Sequence, residues 1–518
     1  MGVWLKPVGP KGFRRSQMPS PSSAVRTLVV ATLTVLVFAA AADAAPKGPL
    51  SHEGRWITDK KGRVVILHGW NLVSKVGSYR PEDSGFSADD ARFLHRHGFN
   101  TVRLGVIYKA LEPEAPAAGG SPRYRNGYLR SLARTQRLLA RHKITTLLDF
   151  HQDLYNEKFQ GEGWPDWQVL DDVNGVTCPN ELQQGFPNNY VVNAALNCAF
   201  DSFWANREVD GLGLQDRYAA AWEHVAQKFR GSPRLLGYNI INEPWPGTQF
   251  PTCISLTGCP LFDTQVLTQF SLKVIDAIRE ADSNSLVWYA PVVVFDFGAD
   301  SSHGDTGDSR AGFAFNMYCL AGGFLPANPA GAATCSETYE ITLDNAEKQS
   351  EETDDALLMT EWGATNDLAV VDEVVELADE HMMSWQHWHY CECDDPTTAG
   401  TGVQSVVIDP NEPPRGENVN RGKLKATSRP YPRAVAGTPL AYDFNPDTRE
   451  FTMSYSVEGP DGQRLPRKVR TQVFIPPIHY RKGYNVTAEG ARVKAKRRVV
   501  LLKRVRGATE VTVEVTPD

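Results

Sequence analysis

The 518-residue chain lacks a large excess of charge of either sign. Its 54 Lys and Arg residues against 61 Asp and Glu residues give a formal net charge of -7, which leaves no electrostatic footprint for a polyanion. We therefore expect no nucleic-acid partner. The chain also lacks the aromatic poverty of disordered proteins, since 42% of its residues are hydrophobic and 10% are aromatic. Its length predicts one barrel-sized domain and a smaller second unit, and we expect a monomer.

Long apolar runs are scarce. One run, from Thr27 to Ala42, follows several basic residues and precedes the small-residue site Ala42-Asp43-Ala44. It is shorter than the ~20 residues that span a bilayer. We predict a signal peptide over residues 1–44, cleaved near Ala44, and therefore a secreted protein; an uncleaved membrane anchor is the alternative.

No cysteine is left over, because the chain has eight, and an even number fits an oxidising compartment. Proximity in sequence suggests the pairs Cys178 with Cys198, Cys253 with Cys259, and Cys319 with Cys335. Cys391 and Cys393 remain. A zinc site formed by these two and the neighbouring His387 and His389 is an alternative to a disulfide, although the sequence offers no obvious second ligand pair.

Short apolar runs alternate with helical patterns from about residue 64 to 390, which is typical of βα units around a parallel sheet. The candidate strands are Val64–Trp70, Thr101–Gly105, Thr145–His151, Leu235–Glu243, Leu286–Pro291, Phe313–Tyr318, Leu357–Glu361 and Met383–His389. Helical spacing is clearest in Ala88–His97, Tyr128–Arg141, Asp216–Phe229, Leu267–Ala281 and Asp367–His381. Eight such units predict an α/β fold, a (β/α)₈ TIM barrel, over residues 45–395.

Beyond the barrel, residues 396–429 are rich in Gly, Pro, Asn and Thr and are predicted to form a linker. Short strand-like runs follow, and they predict a small antiparallel β-sandwich over residues 430–518. Lys and Arg are dense from Arg467 to Arg506. This pattern indicates the solvated outer face of strands, or alternatively a basic patch that makes transient contact with a membrane surface.

Two glutamates stand at the ends of predicted barrel strands. Glu243 follows an apolar run in Asn242-Glu243-Pro244, and Glu361 ends another in Thr360-Glu361-Trp362. Barrel enzymes place catalytic groups at these strand ends. A facing pair of carboxyl groups is what glycoside hydrolysis needs, one as acid and one on the opposite face of the sugar. The tripeptide recurs at Asn411-Glu412-Pro413 inside the predicted linker, where nothing supports a catalytic role.

Other polar or aromatic residues also follow apolar runs: Arg103, His151, Asp153, Tyr318 and Trp388. We expect Arg103 to orient Glu361 and to keep the pKa of Glu361 low, while a negative neighbour raises the pKa of Glu243. Trp388 offers a face for a sugar ring. For each residue, a structural hydrogen bond or a place in the core is the alternative.

These residues resemble the active-site set of glycoside hydrolase family 5, the cellulase-type members of clan A, over roughly residues 50–395. The resemblance implies a retaining mechanism with Glu243 as acid/base and Glu361 as nucleophile. It also implies Asn242 as the ligand of the sugar 2-hydroxyl. No metal or organic cofactor is implied.

A narrower resemblance to endoglycoceramidases rests on Asp149–Asp153, on Asn242–Gly247 and on the C-terminal β domain. Those enzymes release the intact glycan from glycosphingolipids by cutting between the first sugar and ceramide. The resemblance implies that Asp153, and less securely Lys75, bind the sugars. The long loop after Asp153 departs from the pattern and leaves the preferred glycan open, so a galactosylceramide- or glucosylceramide-directed enzyme is an alternative.

Two further alternatives stay open: a β-glucanase- or mannanase-type polysaccharide endoglycosidase, and a non-catalytic carbohydrate- or lipid-binding protein. A lipid aglycone needs an apolar groove near Glu243, for which the candidates are Trp245, Phe250, Phe295 and Phe297. The insertion of residues 152–211 carries Trp164, Trp167 and Trp204, which indicate either a substrate wall or a structural loop.

Overall fold

The computed structural model describes residues 46, 48–117, 120–319, 334–397 and 404–518. The predicted signal peptide, residues 1–44, lies outside the described residues. No helix within these ranges is long and apolar enough to cross a membrane.

Eight parallel strands close into a barrel, with the eighth paired to the first. The strands are β1 (His68–Leu72), β2 (Thr101–Val106), β3 (Thr145–Phe150), β4 (Leu235–Asn239), β5 (Leu286–Tyr289), β6 (Ala311–Met317), β7 (Ala356–Trp362) and β8 (Trp385–His387). Their residues are buried because helices cover the outer face and side chains fill the interior. The predicted (β/α)₈ barrel is confirmed.

The helices lie between and after the barrel strands. They are α1 (Ala88–His97), α2 (Tyr108–Leu111), α3 (Asn126–Arg141), α4 (Asn189–Val192), α5 (Ala194–Trp204), α6 (Leu214–Phe229), α7 (Pro260–Phe262), α8 (Thr268–Ala281), α9 (Cys335–Thr353), α10 (Leu368–Glu380) and α11 (Arg421–Thr427). At the start of α1, Ser87 accepts from Asp89 N and Asp90 completes a capping box. Helix α9 is absent from the predicted helices because its sequence is mostly polar and its apolar spacing is weak.

The lower half of the barrel interior is packed with apolar side chains, including Leu147, Leu236, Trp288 and Leu358. The hairpin formed by Ser51–Glu53 and Trp56–Thr58 closes this end, where Ile57 joins the same cluster. Since side chains two residues apart share a face of a strand, the residues that follow this apolar layer point into the upper half. That half is polar, and it contains the candidate site.

The C-terminal residues form two antiparallel four-stranded sheets around one core, as predicted. The strands are β9 (Tyr431–Ala434), β10 (Thr438–Phe444), β11 (Phe451–Ser456), β12 (Thr471–Phe474), β13 (Tyr484–Glu489), β14 (Ala491–Lys496), β15 (Val499–Arg504) and β16 (Glu510–Pro517). The sheet orders are β9-β12-β15-β14 and β10-β11-β16-β13. Arg492, Lys494 and Lys496 are exposed on the edge strand β14, so the basic segment includes a solvated strand face. Contact of that face with a membrane stays a prediction.

The segment predicted as a linker is packed where it is described. Val406 and Val407 are fully buried, and Val407 bridges to Cys391 beside β8. In α11, Leu424 is 4% exposed, and the ammonium group of Lys423 donates to the Gln404 carbonyl at 2.8 Å. Residues 404–429 are therefore part of the folded body and not an open connection, because their few apolar side chains find partners on the barrel.

The three disulfides suggested by sequence are present, and Cys391 is bonded to Cys393. The zinc alternative is therefore wrong, because the sulfur atoms of Cys391 and Cys393 are bonded to each other. The repeated tripeptide at Asn411-Glu412-Pro413 lies in a surface turn, and Glu412 is exposed.

Candidate active site

Arg103 is the central cation of the upper barrel and is 1% exposed. It forms an ion pair with the Glu361 carboxylate, and its Nη2 donates to Asn242 Oδ1 at 2.9 Å. Asp149 lies 2.9 Å from the same guanidinium group, and Nε donates to Asn239 Oδ1 at 3.0 Å. Because Arg103 also donates to Asn71 Oδ1 at 3.2 Å, this arginine holds side chains from four other strands in one layer.

Glu361 is buried at the end of β7 and is bound by two donors. Besides Arg103, the Tyr318 hydroxyl donates to Glu361 Oε2 at 3.1 Å. Burial raises the pKa of Glu361 above its ordinary value, and the Arg103 charge opposes this rise without cancelling it. The predicted low pKa of Glu361 is therefore wrong, because desolvation outweighs the cation. The predicted orienting contact with Arg103 is present.

Glu243 follows β4 with a backbone φ of 41°, in the left-handed region that few residues other than glycine adopt. The Gln152 side-chain amide donates to the carbonyls of Asn242 and Glu243 at 3.0 and 3.1 Å and holds this turn. Asn316 Nδ2 donates to Glu243 Oε1 at 2.8 Å. Burial, followed by the charges of Glu361 and Asp153, raises the pKa of Glu243 to about 8. Glu243 is thus suited to hold a proton at neutral pH.

A second charged cluster surrounds Lys75, which is 2% exposed. Its ammonium group lies 2.5 Å from Asp153, 3.2 Å from Asp395 and 3.8 Å from Glu162. Burial opposes ionisation of Asp153, but Lys75 and His151 outweigh this effect and hold the pKa of Asp153 below its usual range. The structure therefore brings together Lys75 and Asp153, the two residues that the resemblance implies bind the sugars.

His151 and Trp388 connect the two clusters. His151 Nδ1 lies 2.8 Å from Asp149, and its ring stacks on Trp388 with centroids 5.2 Å apart. Burial lowers the pKa of His151, but hydrogen bonds to Asp149 and Asp153 outweigh it and raise the pKa to about 10. The Lys75 ammonium lies 4.4 Å from the Trp388 ring centroid, and a cis peptide bond joins Trp388 to His389. Trp388 thus lies beside the charged groups.

Several residues of the site were missed from the sequence: Asn71, Asp149, Glu162, Asn239, Asp296, Asn316 and Asp395. Strand periodicity could have found two of them. Asp149 lies two residues before His151, and Asn316 lies two residues before Tyr318, so each shares a face with a residue that was found. Glu162 lies in a loop and Asp296 in the short helical turn Val293–Phe297, and neither segment is long enough to show a periodic signal.

Most of the aromatic residues predicted to line a groove or wall are in the core. Trp164, Trp245 and Phe295 are each at most 1% exposed, and Trp204 is 9% exposed. Trp164 stacks on Tyr155 with centroids 4.2 Å apart. These side chains hold the insertion against the barrel, which is the structural alternative for that segment. Phe250 and Trp167 keep part of their surface accessible.

The upper end of the closed parallel barrel holds two buried carboxyl groups. Glu361 is bound to the Arg103 cation, and Glu243 lies beside the carboxyl of Asp296. A pair of carboxyl groups at this end of a barrel is typical of a glycoside hydrolase. The profile of cellulase (glycosyl hydrolase family 5) matches residues 59–394, and the profile of the glycoside hydrolase family 5 C-terminal domain matches residues 429–516. The chain belongs to glycoside hydrolase family 5.

Among curated relatives, endoglycoceramidase I of Rhodococcus hoagii is 29% identical over 464 residues, covering 87% of this chain and 84% of the relative. An endoglycoceramidase of Cyanea nozakii is 27% identical and covers 84% and 86%. The structure of endo-glycoceramidase II from Rhodococcus sp. superposes with a TM-score of 0.70 at 24% identity, covering 89% of this chain and 99% of that one. At that identity the structural likeness shows the fold alone.

Proposed function

We propose that this glycoside hydrolase cleaves the linkage between glycan and ceramide in glycosphingolipids and releases an intact glycan. The observation that carries the proposal is the similarity to endoglycoceramidases along 87% of the chain, through both the barrel and the C-terminal domain. A structure of the Rhodococcus enzyme carries ganglioside GM3, and another is a lactosyl-enzyme intermediate. The buried site supplies the two carboxyl groups, those of Glu243 and Glu361, that cleavage of a glycosidic bond needs.

In the proposed reaction, Glu361 attacks the anomeric carbon while Glu243 gives its proton to the departing ceramide oxygen. The C–O bond to ceramide breaks, and a covalent glycosyl-enzyme forms on Glu361. Glu243, now a carboxylate, removes a proton from water, which displaces Glu361 with overall retention of configuration. The donors on Glu361 and the raised pKa of Glu243 support this division of roles.

The Lys75 cluster is proposed to bind sugar hydroxyls next to the reacting ring. An ammonium group and several carboxyl groups offer both donors and acceptors, as a polyhydroxylated ligand needs. Trp388 supplies an apolar face beside them, since aromatic rings pack against the C–H faces of sugars. Asn242, fixed by Arg103, is proposed to hold the 2-hydroxyl of the reacting sugar.

A polysaccharide endoglycosidase is the second candidate, but the exposed side chains favour a lipid aglycone. A polysaccharide cleft would show accessible aromatic subsites. Within the described ranges, the large exposed apolar side chains are aliphatic, and most lie in segments that follow barrel strands, at the end that holds the site. Leu256 and Leu261, which are 60% and 71% exposed, follow β4 and Glu243. We propose that these loops make transient contact with the membrane that holds the substrate.

Secretion and a monomeric state belong to the same proposal. The four disulfides suit an oxidising compartment, and the basic and apolar segments before Ala44 have the composition of a signal peptide.

The test is mass spectrometry of the products formed from a ganglioside, lactosylceramide and galactosylceramide by the mature protein. We expect intact oligosaccharide and free ceramide from at least one of them. Shortening of soluble β-glucan or mannan without ceramide release would instead assign the second candidate function. The Glu361→Gln variant serves as the inactive control for both assays.

A further inference from the structure

Asp296 is a third carboxyl group beside Glu243, and the proposed mechanism does not use it. It lies after β5 in the short helical turn Val293–Phe297 and is 2% exposed. Its carboxyl is within hydrogen-bonding reach of the Glu243 carboxyl, and both line one small cavity with Asn316. The Asp296 carbonyl accepts from Tyr318 N at 2.9 Å. Asp296 is thus fixed to the strand end that also carries Asn316.

The surroundings of Asp296 disfavour a charge on it. The guanidinium group of Arg103 is engaged by Glu361 and Asp149, and no ion pair reaches Asp296 in the part of the chain that the structure describes. Its Oδ2 has no hydrogen-bond partner among the described residues. The titratable groups that face it are Glu243, Glu361 and Tyr318, of which the two glutamates are potential anions. Burial and these two charges raise the pKa of Asp296 well above its ordinary value.

We propose that Asp296 is a positioning residue for Glu243: it stays protonated and donates its hydrogen to the carboxylate that Glu243 becomes on protonating the leaving oxygen. Two carboxyl groups in contact away from water do not both ionise, so one hydrogen remains between them. Asn316 already donates to Glu243 Oε1, which leaves Oε2 for Asp296. This inference rests on the proposed role of Glu243 as acid/base.

The proton balance is simple. In the first step the O–H bond of Glu243 breaks, the O–H bond of the leaving alcohol forms, and the electron pair stays on Glu243. The Asp296 proton is not transferred; its hydrogen bond strengthens because the acceptor has become charged. In the second step Glu243 takes a proton from water and the resting state returns. Asp296 thus stabilises a charge that exists only after proton transfer.

Two substitutions separate this role from a structural one. Asp296→Asn keeps an N–H donor and cannot ionise, so we expect kcat/KM on glycolipid within about threefold of the parent and an unchanged basic limb of the pH profile. Asp296→Leu keeps the branched shape of the side chain and has no donor. We expect it to lose about 10- to 100-fold in kcat/KM, with the basic limb moved to higher pH, since a hydrogen bond to a charged group is lost. Aryl glycosides with good leaving groups should lose much less.

A basic limb that moves to lower pH in both variants would show an ionised, repelling Asp296 and would overturn the inference. An Asp296→Leu enzyme with the parent profile would overturn it as well. If the leucine variant does not fold, Asp296→Ala makes the same comparison. Rescue of Glu243→Ala by azide, measured alongside, tests the proposed function separately, because azide attacks the glycosyl-enzyme without a base. If azide rescues Glu243→Ala while the Asp296 variants behave like the parent, the role inferred for Asp296 is rejected and the proposed function stands.

Discussion

The two glutamates lie in one buried layer but have opposite surroundings. Glu361 is held by the Arg103 cation and the Tyr318 hydroxyl, both of which stabilise a carboxylate. Among the described residues, the Glu243 carboxyl accepts from one donor, Asn316, and a second carboxyl, Asp296, lies next to it. Burial raises the pKa of both, but in the part of the chain that the structure describes only Glu361 forms an ion pair, with Arg103. The difference teaches that environment, more than residue type, distinguishes the proposed nucleophile from the proposed acid.

Removing the carboxylate of Glu361, the glutamate that is paired with Arg103, should have the largest effect. Glu361→Gln keeps the shape of the side chain and removes the proposed nucleophile, so we expect kcat to fall by about 10⁴-fold or more on every substrate. Thermal unfolding should still be cooperative, because the amide can retain part of the hydrogen bonding. Ceramide release by this variant near the parent rate would contradict the proposal that Glu361 is the nucleophile.

Glu243→Ala should be less damaging and dependent on the leaving group. We expect a loss of about 10²- to 10⁴-fold on glycolipid and a smaller loss on activated aryl glycosides, which need little protonation. In the proposed mechanism, kcat/KM of the parent requires ionised Glu361 and protonated Glu243, so activity should fall as pH rises through about 8. That basic limb should be absent from the alanine variant.

Glu412→Ala is the matched control, because Glu412 occupies the same Asn-Glu-Pro tripeptide in an exposed turn. It should leave both the rate and the pH profile unchanged. Equal losses on glycolipid and aryl glycoside in Glu243→Ala would count against its role as acid.

Lys75→Met tests whether the ammonium group of Lys75 binds the sugar and takes no part in the catalytic step. A hydrogen-bonded charge that contacts a non-reacting sugar contributes about 1.5–3 kcal/mol, so kcat/KM for long glycans should fall about 10- to 100-fold. A monosaccharide aryl glycoside should be affected less. Lys109→Met, on a more exposed lysine paired with Glu157 and Asp166, is the control. Equal losses on long and short substrates would place Lys75 in the catalytic step.

The smallest effect is expected outside the site. Replacing Leu256 and Leu261 with serine should lower activity on vesicle-bound glycolipid by about threefold, with little change on detergent-dispersed substrate. Leu440→Ser, at a 49% exposed position in the C-terminal domain, is the control. Equal activity of both variants on vesicles would contradict membrane contact through the loops after the barrel strands.

The barrel and its two glutamates could be predicted from sequence because parallel strands are continuous apolar runs whose ends are marked by polar residues. Arg103, His151 and Tyr318 were found by the same rule. Asp296 and Glu162 were not, since a short helical turn and a loop place side chains by tertiary contacts that have no period. The buried Trp164 and Trp245 show the converse: an aromatic residue in a segment that follows a barrel strand is as well suited to the core as to a sugar.

The contrast between the two carboxyl groups is tested most directly by trapping the covalent intermediate. A 2-deoxy-2-fluoro glycoside with an activated leaving group slows breakdown of the glycosyl-enzyme more than its formation, so the adduct accumulates. Intact-mass measurement followed by peptide mapping should show one sugar on the peptide that contains Glu361. Label on Glu243, or no label together with an inverted product, would contradict the assignment of the two roles.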